Sequence, residues 1–257
     1  AITKIPPQSL DVAVAQTQGS MGYMLANQLR NRFNEEQLEK EIAAVLTEVE
    51  VDREDPAFEN PTKPVGPYFT AYRANLLMQE HGWQMVEDAG RGWRKVVASP
   101  MPKKILGSHL LKRLVENGAV LVAGGGGGVP VYQDVGGYFR GVEAVIDKDY
   151  VAAMLAAELQ ADLFIMLTQV PMVAENFGRP NQRWLRRMPL DKAREMMAAN
   201  QFPPGSMGPK VQASMNFVEE TGKDVLITDE DSLKRALEGR AGTFLVSDGE
   251  VEYAAIS

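Results

Sequence analysis

A run of five glycines, residues 124–128, limits what this chain of 257 residues can fold into more than any other stretch. It follows the apolar run 119–123, whose composition predicts a buried strand. Because glycine has no Cβ, such a loop can bring backbone N–H groups close to a phosphate or another anion. Open α/β sheets bind ligands at the carboxyl ends of their strands, where this loop lies. The alternative is a flexible linker, but strand-like residues on both flanks argue against it.

Two common phosphate-binding motifs are excluded at this loop. A dinucleotide fingerprint needs a third glycine that opens a helix, but Val129 occupies that position and Pro130 and Val131 continue as a strand. A Walker A loop needs Lys and then Ser or Thr after its last glycine, and here Val129 and Pro130 follow. If the loop handles phosphate, it belongs to a different family.

Composition excludes several classes of function. The formal net charge is -7, from 34 acids and 27 bases, which argues against broad nucleic-acid binding but permits local basic clusters. The absence of cysteine excludes disulfides, thiolate metal sites and thiol catalysis, and it fits a reducing compartment. No apolar run is long enough to span a bilayer. The chain shows no signal-peptide layout and does not begin with Met. We therefore expect neither a nucleic acid nor a membrane as partner.

Strand-like and helix-like segments alternate along the chain, which predicts an α/β fold with a largely parallel sheet covered on both faces. The predicted strands are 11–15, 42–51, 119–123, 144–146, 162–168, 224–228 and 243–246. The predicted helices are 21–33, 108–117, 149–160, 191–199, 211–221 and 232–237. Residues 52–100 begin with a proline-rich charged stretch and predict a small subdomain with a helix at 70–81 and strands at 84–87 and 94–98.

Polar clusters occur where these strands end or helices begin. The triplet Asp147, Lys148 and Asp149 lies between a strand and a helix, where the Lys can hold a phosphate and the acids can orient it. The alternative, favoured for the triplet alone, is that Asp149 caps the helix and Lys148 is solvated. Residues 205–210 predict a glycine-containing turn that leads into a helix and offers N–H groups, a dipole and Lys210 to an anion. The alternative, which the motif alone does not exclude, is a plain loop and helix cap.

Two further basic residues lie in the predicted subdomain. Lys63 follows prolines in a stiffened loop, and Arg91 lies among glycines that by themselves indicate a surface hairpin. Lys63, Arg91, Lys148 and Lys210 together with the glycine loop suggest phosphoryl transfer, whose catalysis consists largely of positioning and charge stabilisation. His81 and His109 have no spacing that supports a Ser–His–Asp triad or a metal site.

In order and context these clusters resemble those of carbamate kinases, members of the amino-acid kinase superfamily. The matching stretches are residues 11–15 with 17–23, 55–66, 88–100, 125–131, 144–149 and 205–211, so the resemblance covers nearly the whole chain. It implies one amino-acid kinase domain over 1–257, a three-layer αβα sandwich with a mainly parallel central sheet and a small protruding subdomain at 52–100. It also implies a cytoplasmic homodimer.

The resemblance further implies reversible, Mg²⁺-dependent phosphoryl transfer between ATP or ADP and carbamate or carbamoyl phosphate, in arginine or related nitrogen catabolism. In this family Lys210 would neutralise the transferring phosphoryl group, Asp149 would orient the catalytic lysines, Lys148 would contact phosphate, and Lys63 would reach in from the subdomain. No protein ligand of a metal is predicted. The phosphate-binding set implied is Gly125, Gly126, Gly127, Gly128 and Arg91. The nucleotide-binding set implied is Thr168, Asn176, Phe177, Gly178, Gly205, Ser206 and Met207.

The chain departs from the family pattern at both ends. The family's opening strand with a Leu-Gly-Gly-Asn-Ala loop and a later Asn-Gly-Pro-Gln-Val-Gly loop have no counterpart here. Residues 247–257 run past the usual end and predict an unstructured tail. Three interpretations stay open: an N-terminally incomplete chain, a partner chain that supplies the missing part, or a non-catalytic nucleotide-binding paralogue.

Overall fold

A computed structural model describes residues 8–88, 90–203 and 205–254. The chain forms two compact units, Ala1–Val151 and Ala152–Ser257. Its helices are α1 Leu10–Glu35, α2 Ala71–His81, α3 Ser108–Glu116, α4 Lys148–Glu158, α5 Leu190–Ala198, α6 Met207–Thr221 and α7 Leu233–Leu237. Each predicted helix is confirmed; most ends shift by up to four residues, whereas α1 begins 11 residues before the predicted helix 21–33. Among the described residues, no helix combines the length and apolar character that crossing a membrane requires.

The first unit contains strands β1 Ile42–Ala44, β2 Glu48–Val51, β3 Lys63–Phe69, β4 Met85–Glu87, β5 Trp93–Val97, β6 Pro102–Ile105, β7 Val120–Val122, β8 Val129–Gln133 and β9 Phe139–Gly141. The second unit contains β10 Phe164–Leu167, β11 Val173–Glu175, β12 Arg183–Pro189, β13 Val225–Thr228, β14 Thr243–Val246 and β15 Glu252–Tyr253. The strand expected at 144–146 is wrong, because Ala144 makes only an isolated parallel bridge to Ala98.

Helix α1 corrects a further prediction. Residues 11–15, expected as a strand, form its first turns. Their strand-like pattern extends over only a few positions, whereas the helix that contains them is 26 residues long. The intrinsic helix propensity of Val is only slightly unfavourable, so the valines do not prevent the helix. Gln18, Gly22 and Ala26 are buried at a spacing of four, so this face of α1 packs inward. A Cβ on Gly22 would lie 2.9 Å from the Cβ of Ala44, which explains the glycine at this approach to β1.

The glycine loop interrupts a parallel pair of strands in the first unit. β1 pairs with β7. Both of these segments then leave the sheet, and pairing resumes between β2 and β8. The strand predicted over 42–51 is therefore two strands separated by residues 45–47, and the glycine loop lies opposite that break. Both β2 and β8 have outer neighbours, in the order β6-β2-β8-β9. This arrangement fixes both ends of the loop in a sheet.

The predicted subdomain has its own sheet and its own small core. Strands β3, β5 and β4 form an antiparallel three-stranded sheet that includes the two predicted strands and one, β3, that the proline-rich sequence concealed. Ala74 and Leu77 of α2 pack with Met85 of β4 and with partly buried Trp83 and Trp93. Thr70 caps α2 through its side chain, which accepts from the Arg73 N–H, and Gly82 ends the helix in the left-handed conformation.

The second unit is built on one mixed sheet in the order β10-β13-β14-β12-β11, with β15 also paired to β12. The prediction of an α/β fold is confirmed. The strands pair in a mixed pattern, with parallel and antiparallel pairs in both units. The prediction of an unstructured tail from 247 is wrong for β15, whose backbone pairs with β12; residues 255–257 lie outside the described residues.

Candidate active site

The glycine loop is held by a buried pair of polar side chains. Gln18 on α1 accepts a hydrogen bond from the Thr47 N–H (2.8 Å) and donates one to the Thr47 carbonyl (3.2 Å). The Thr47 hydroxyl in turn accepts from the Gly124 N–H at 2.8 Å. Both residues are buried, so these bonds are shielded from water. The start of the loop is thereby tied to the break between β1 and β2.

The tip of the loop presents backbone N–H groups. Gly124 and Gly126 have positive φ angles of 69° and 67°, whereas Gly125 between them does not. Alternation of this kind turns successive N–H groups toward one side and forms an anion-binding concavity. Gly125 and Gly126 are exposed, and within the described part of the chain their amides donate to no protein acceptor. These two glycines of the predicted set are the ones available to an anion.

The other two glycines of the loop serve packing. Gly127 and Gly128 are buried, and their N–H groups donate to the carbonyls of Gly124 and Gly125. A Cβ on Gly127 would overlap the carbonyl oxygen of Ile146, and one on Gly128 would overlap the Val49 side chain. The loop therefore lies directly against the backbone that leads into α4, where the predicted acid-base-acid triplet begins.

Lys63 reaches that triplet from the subdomain. Its Nζ donates to Oδ2 of Asp147 at 2.8 Å, across 84 positions of sequence. The Asp147 side chain is 14% exposed and that of Lys63 32% exposed, so the pair is only partly hydrated. Lys63 is the first residue of β3, and this strand position directs it to the start of α4.

The pKa of Asp147 lies below its usual range. Burial acts to raise it, but the hydrogen bonds from Lys63 and from the Asp149 N–H, with the charges of Lys63 and Lys148, outweigh that effect. Asp147 is therefore a carboxylate at neutral pH and holds the Lys63 ammonium in place.

The structure also corrects the capping assignment. Asp147, not Asp149, caps α4, because its Oδ1 accepts from the Asp149 N–H at 3.0 Å. Asp149 is buried within the first turn, 5% exposed, and its Oδ1 lies 3.9 Å from Nζ of Lys148. The Lys148 side chain is 64% exposed. One buried acid and one accessible ammonium thus lie side by side at a helix N-terminus, whose dipole favours anions.

Arg91 occupies a different environment. It is largely exposed, its Nη2 donates to Oδ1 of Asp88 at 3.0 Å, and its guanidinium lies 5.2 Å from the ring centre of Tyr68. Arg94 contacts the same two residues. Within the described residues no polar contact joins Arg91 to the glycine loop or to residues 147–149.

The second unit has an apolar cavity of about 220 Å³, and four residues of the predicted nucleotide-binding set line it. The predicted residues in its wall are Thr168, Phe177, Ser206 and Met207. The residues that sequence reasoning missed are Gln169, Val170, Met172, Ala174, Gln201, Phe202 and Pro203. A mainly apolar wall with a few hydroxyl and amide groups suits a flat heterocycle that also needs hydrogen bonds.

Asn176 and Gly178 lie with Phe177 in the turn between β11 and β12. Both have positive φ angles, 55° and 75°. The Asn176 N–H donates to the side-chain oxygen of Gln201, and the Gly178 N–H donates to that of Gln182. The turn is thus fixed by side-chain amides, and one of these, from Gln201, also lines the cavity.

Residues 205–210 enter α6. Gly205 has a φ of 84°, and the Gly208 N–H donates to the Pro203 carbonyl at 3.1 Å. Lys210 lies one turn into α6, where its carbonyl accepts from the Ser214 hydroxyl at 2.7 Å. Ser206 immediately precedes this helix and Met207 is its first residue, and both line the cavity.

Sequence reasoning missed Gln18 and Thr47, and for Asp147 it predicted the orientation of Lys148 but neither the bond to Lys63 nor the cap of α4. A buried Gln on a helix carries no local signal, because its partner Thr47 lies 29 positions away, in the break between β1 and β2. Asp147 did carry a signal, since Asp is a preferred residue immediately before a helix. Among the described residues, no group of three or more His, Cys, Asp or Glu residues is arranged to hold a metal ion.

The chain is similar to known proteins in both sequence and structure. A family model described as the amino acid kinase family matches residues 7–229. Carbamate kinase of Thermococcus kodakarensis is 46% identical over 244 residues, covering 95% of this chain and 77% of that protein. Carbamate kinase-like protein YahI of Escherichia coli K12 is 43% identical over 243 residues, covering 94% and 77%.

A solved structure, carbamate kinase from Giardia lamblia bound to AMP-PNP, is also similar. It superimposes with a TM-score of 0.88 at 36% identity, covering 96% of this chain and 78% of that one. The chain therefore has the amino-acid kinase fold and belongs to the amino acid kinase family, in the group of the carbamate kinases.

Proposed function

We propose that this chain is a carbamate kinase that transfers a phosphoryl group reversibly between carbamoyl phosphate and ADP. One observation carries the proposal: the exposed amides of Gly125 and Gly126 belong to a loop packed against the segment where Lys63, Asp147 and Lys148 meet. Amides and ammonium groups at one place are what a transferring phosphate needs, because its transition state spreads charge over several oxygens.

Each residue of this group has a distinct role. The amides of Gly125 and Gly126 bind phosphate oxygens, while Gly127 and Gly128 give the loop its shape. Lys63 and Lys148 contribute positive charge. Asp147 fixes Lys63, which reaches it from β3, and Asp149 orients the catalytic lysines. The motif that contains Lys210 adds the cation that neutralises the transferring group. Arg91 remains a proposed substrate contact that rests on the family resemblance.

The nucleotide occupies the cavity of the second unit. Phe177 and Met207 supply apolar wall for the base, and Thr168 and Ser206 supply hydroxyl groups. Asn176, Gly178 and Gly205 shape the adjoining turns through positive φ angles. The similar Giardia lamblia structure was solved with AMP-PNP, which supports an adenine nucleotide as the ligand.

We further propose Mg²⁺ as cofactor, a homodimer, and a cytoplasmic location. Mg²⁺ is commonly bound through one or two carboxylates together with substrate phosphates, so it needs no dedicated cage of acids. The acids beside the glycine loop, Asp147 and Asp149, fit that pattern. When bound, the ion neutralises charge on the phosphate oxygens.

The test is ATP formation from carbamoyl phosphate, ADP and Mg²⁺ by the purified chain. We expect Lys210→Ala to lower turnover by roughly a hundred- to a thousandfold, because it removes a cation that stabilises the transition state. Lys63→Ala should slow turnover and leave ADP affinity nearly unchanged. Exposed lysines in the same two units, Lys104 and Lys234, provide the control variants Lys104→Ala and Lys234→Ala.

Turnover by Lys210→Ala equal to that of the wild type would overturn the assignment of Lys210. A large loss of ADP binding in Lys63→Ala would contradict its role on the phosphate side. ADP binding by the wild type without phosphoryl transfer would replace the proposal with that of a nucleotide-binding paralogue.

A further inference from the structure

The segment after β14 forms an additional strand on the sheet of the second unit. β15 pairs antiparallel with β12, with Tyr253 opposite Leu185, and the Ala254 N–H donates to the Trp184 carbonyl at 2.9 Å. β12 is one arm of the hairpin whose other arm is β11, and the turn of this hairpin contains Asn176, Phe177 and Gly178. The C-terminal strand thus lies beside the hairpin that presents the proposed nucleotide-binding turn.

The side chain of Tyr253 extends this contact to β11. Its hydroxyl donates to Oε2 of Glu175 at 3.2 Å. The guanidinium of Arg183 lies over its ring, 3.5 Å from the ring centre. Arg183 also donates to Oε2 of Glu175 at 3.0 Å. Tyr253 therefore bridges the last residue of β11 and the first residue of β12, which are the two residues that enter and leave the turn.

Glu175 is the centre of the network. Its Oε1 accepts from Nζ of Lys192 at 2.9 Å, and the side chains of both residues are mostly buried. The residue after Glu175 is Asn176, which begins the turn. On the β12 side, Trp184 contacts the ring of Phe177 edge-on, with ring centres 6.1 Å apart. Phe177 lines the cavity. A continuous path of contacts therefore joins Tyr253 to the cavity wall.

We propose that the C-terminal strand β15 is a positioning element for adenine-nucleotide binding, with Tyr253 as its positioning residue. This inference rests on the proposed function, because it assigns the nucleotide to the cavity beside Phe177. Tyr253 itself touches no nucleotide. It acts by holding Glu175 and Arg183 together, so that the turn is already ordered before the nucleotide arrives. A ligand that binds a preordered turn does not have to order it, and its affinity rises accordingly.

The test compares three variants of the full chain. Tyr253→Ala removes the ring and the hydroxyl. Tyr253→Phe keeps the ring under Arg183 and removes only the bond to Glu175. Glu252→Ala is the matched control, because Glu252 is the neighbouring residue of the same strand and its side chain is exposed. Four quantities are measured for each: amide hydrogen exchange over residues 173–189, the dissociation constant for ADP, KM for ADP, and kcat.

We expect exchange in the hairpin to rise in the order Glu252→Ala, Tyr253→Phe, Tyr253→Ala. Tyr253→Phe loses one hydrogen bond, and its affinity for ADP should be about threefold weaker than that of the wild type. Tyr253→Ala also loses the ring contact, and its affinity for ADP should be about tenfold weaker. KM for ADP should rise in parallel while kcat changes little. A role in general stability would not separate KM from kcat in this way, and Tyr253→Phe remains informative if Tyr253→Ala does not fold.

Unchanged exchange in both Tyr253 variants would overturn the inference, since β15 would not order the hairpin. Raised exchange with unchanged ADP affinity would overturn it too, because the hairpin would then not govern nucleotide binding. Failure of the proposed function has a different signature: a wild-type chain that binds no ADP, whatever the exchange of its hairpin.

Discussion

The glycine loop of the first unit and the β11–β12 hairpin of the second unit are both assigned to phosphate or nucleotide, but they are held in different ways. The loop is fixed by neutral, buried groups, the Gln18 side chain and Thr47. The turn of the hairpin is held by side-chain amides, but the two strands at its base are joined by charged groups around Glu175, which are partly open to solvent.

The difference has a physical consequence. A neutral buried network does not titrate and is not screened by salt, so the loop keeps its shape over a wide range of conditions. The strength of a charged network depends on pH, on salt concentration and on each charged partner that joins it.

A loop that binds an anion through backbone amides needs a fixed shape, because the direction of a backbone N–H group is set by the backbone and cannot be adjusted by a side-chain rotation. The following variants test this contrast, beginning with the largest expected effect.

Gly127→Ala should be the most disruptive change to the loop. Its φ is 93°, and the new Cβ would overlap the carbonyl oxygen of Ile146, which is backbone and cannot turn away. We expect a loss of about 3 kcal/mol in the free energy of unfolding, measured by urea denaturation. Gly126→Ala is the matched control, because its nearest atom is Val14 Cγ1 at 3.9 Å and only the left-handed backbone cost of about 1 kcal/mol remains. Equal losses would contradict the packing role.

Gln18→Ala should cost about 2 kcal/mol, because the buried Thr47 N–H loses its acceptor. The loss should not depend on salt concentration, because the hydrogen bonds between Gln18 and Thr47 involve no charged group. Gln16→Ala, at an exposed position of the same helix, is expected to stay within about 0.5 kcal/mol of the wild type. A strong salt dependence of the Gln18 effect would break the contrast between the two turns.

Lys192→Met should cost about 1 kcal/mol at neutral pH, since it removes one charged partner of Glu175. The pKa of Glu175 is held below its usual range, first by the hydrogen bond from Lys192, then against opposing burial by those from Arg183 and Tyr253. A carboxyl whose pKa is lowered by folding stabilises the native state above its unfolded pKa, about 4.3. That stabilisation is lost as pH falls through the folded value.

Unfolding followed from pH 7 down to pH 3 therefore provides the measurement for this pair. The wild type should lose stability below about pH 4. The Lys192→Met variant should lose less, because folding lowers the pKa of Glu175 less when Lys192 is absent. Lys234→Met, at an exposed position, is the control and should follow the wild type. Parallel pH curves for wild type and Lys192→Met would show that Glu175 does not depend on Lys192.

Arg91→Ala should have the smallest effect. The Arg91 side chain is 62% exposed, and an ion pair made by an exposed side chain contributes less than about 1 kcal/mol. We expect a change within about 0.5 kcal/mol in the free energy of unfolding. A loss above about 1 kcal/mol would mean that charge clusters on the subdomain stabilise it as strongly as the partly buried network around Glu175 does.

Much of the site was predictable because its signals are local. The glycine run, the turn before α6 and the triplet at residues 147–149 are contiguous, and each reports its own backbone requirement or the start of a helix. The same locality explains the confirmed helices, whose apolar residues recur at helical spacing. It also explains the error at residues 11–15, where five residues fit a strand while the following twenty fit a helix.

The alternating α/β order and the backbone freedom of the glycine loop follow from local sequence patterns alone. The tertiary structure brings Lys63 to Asp147 across 84 positions and joins Gln18 to Thr47, whose hydroxyl binds the loop. It alone made the C-terminal residues a strand against β12. Side-chain spacing along a chain encodes which groups share a helix face or a strand. Which distant elements pack together depends on the burial of whole faces, and no single stretch of sequence carries that information.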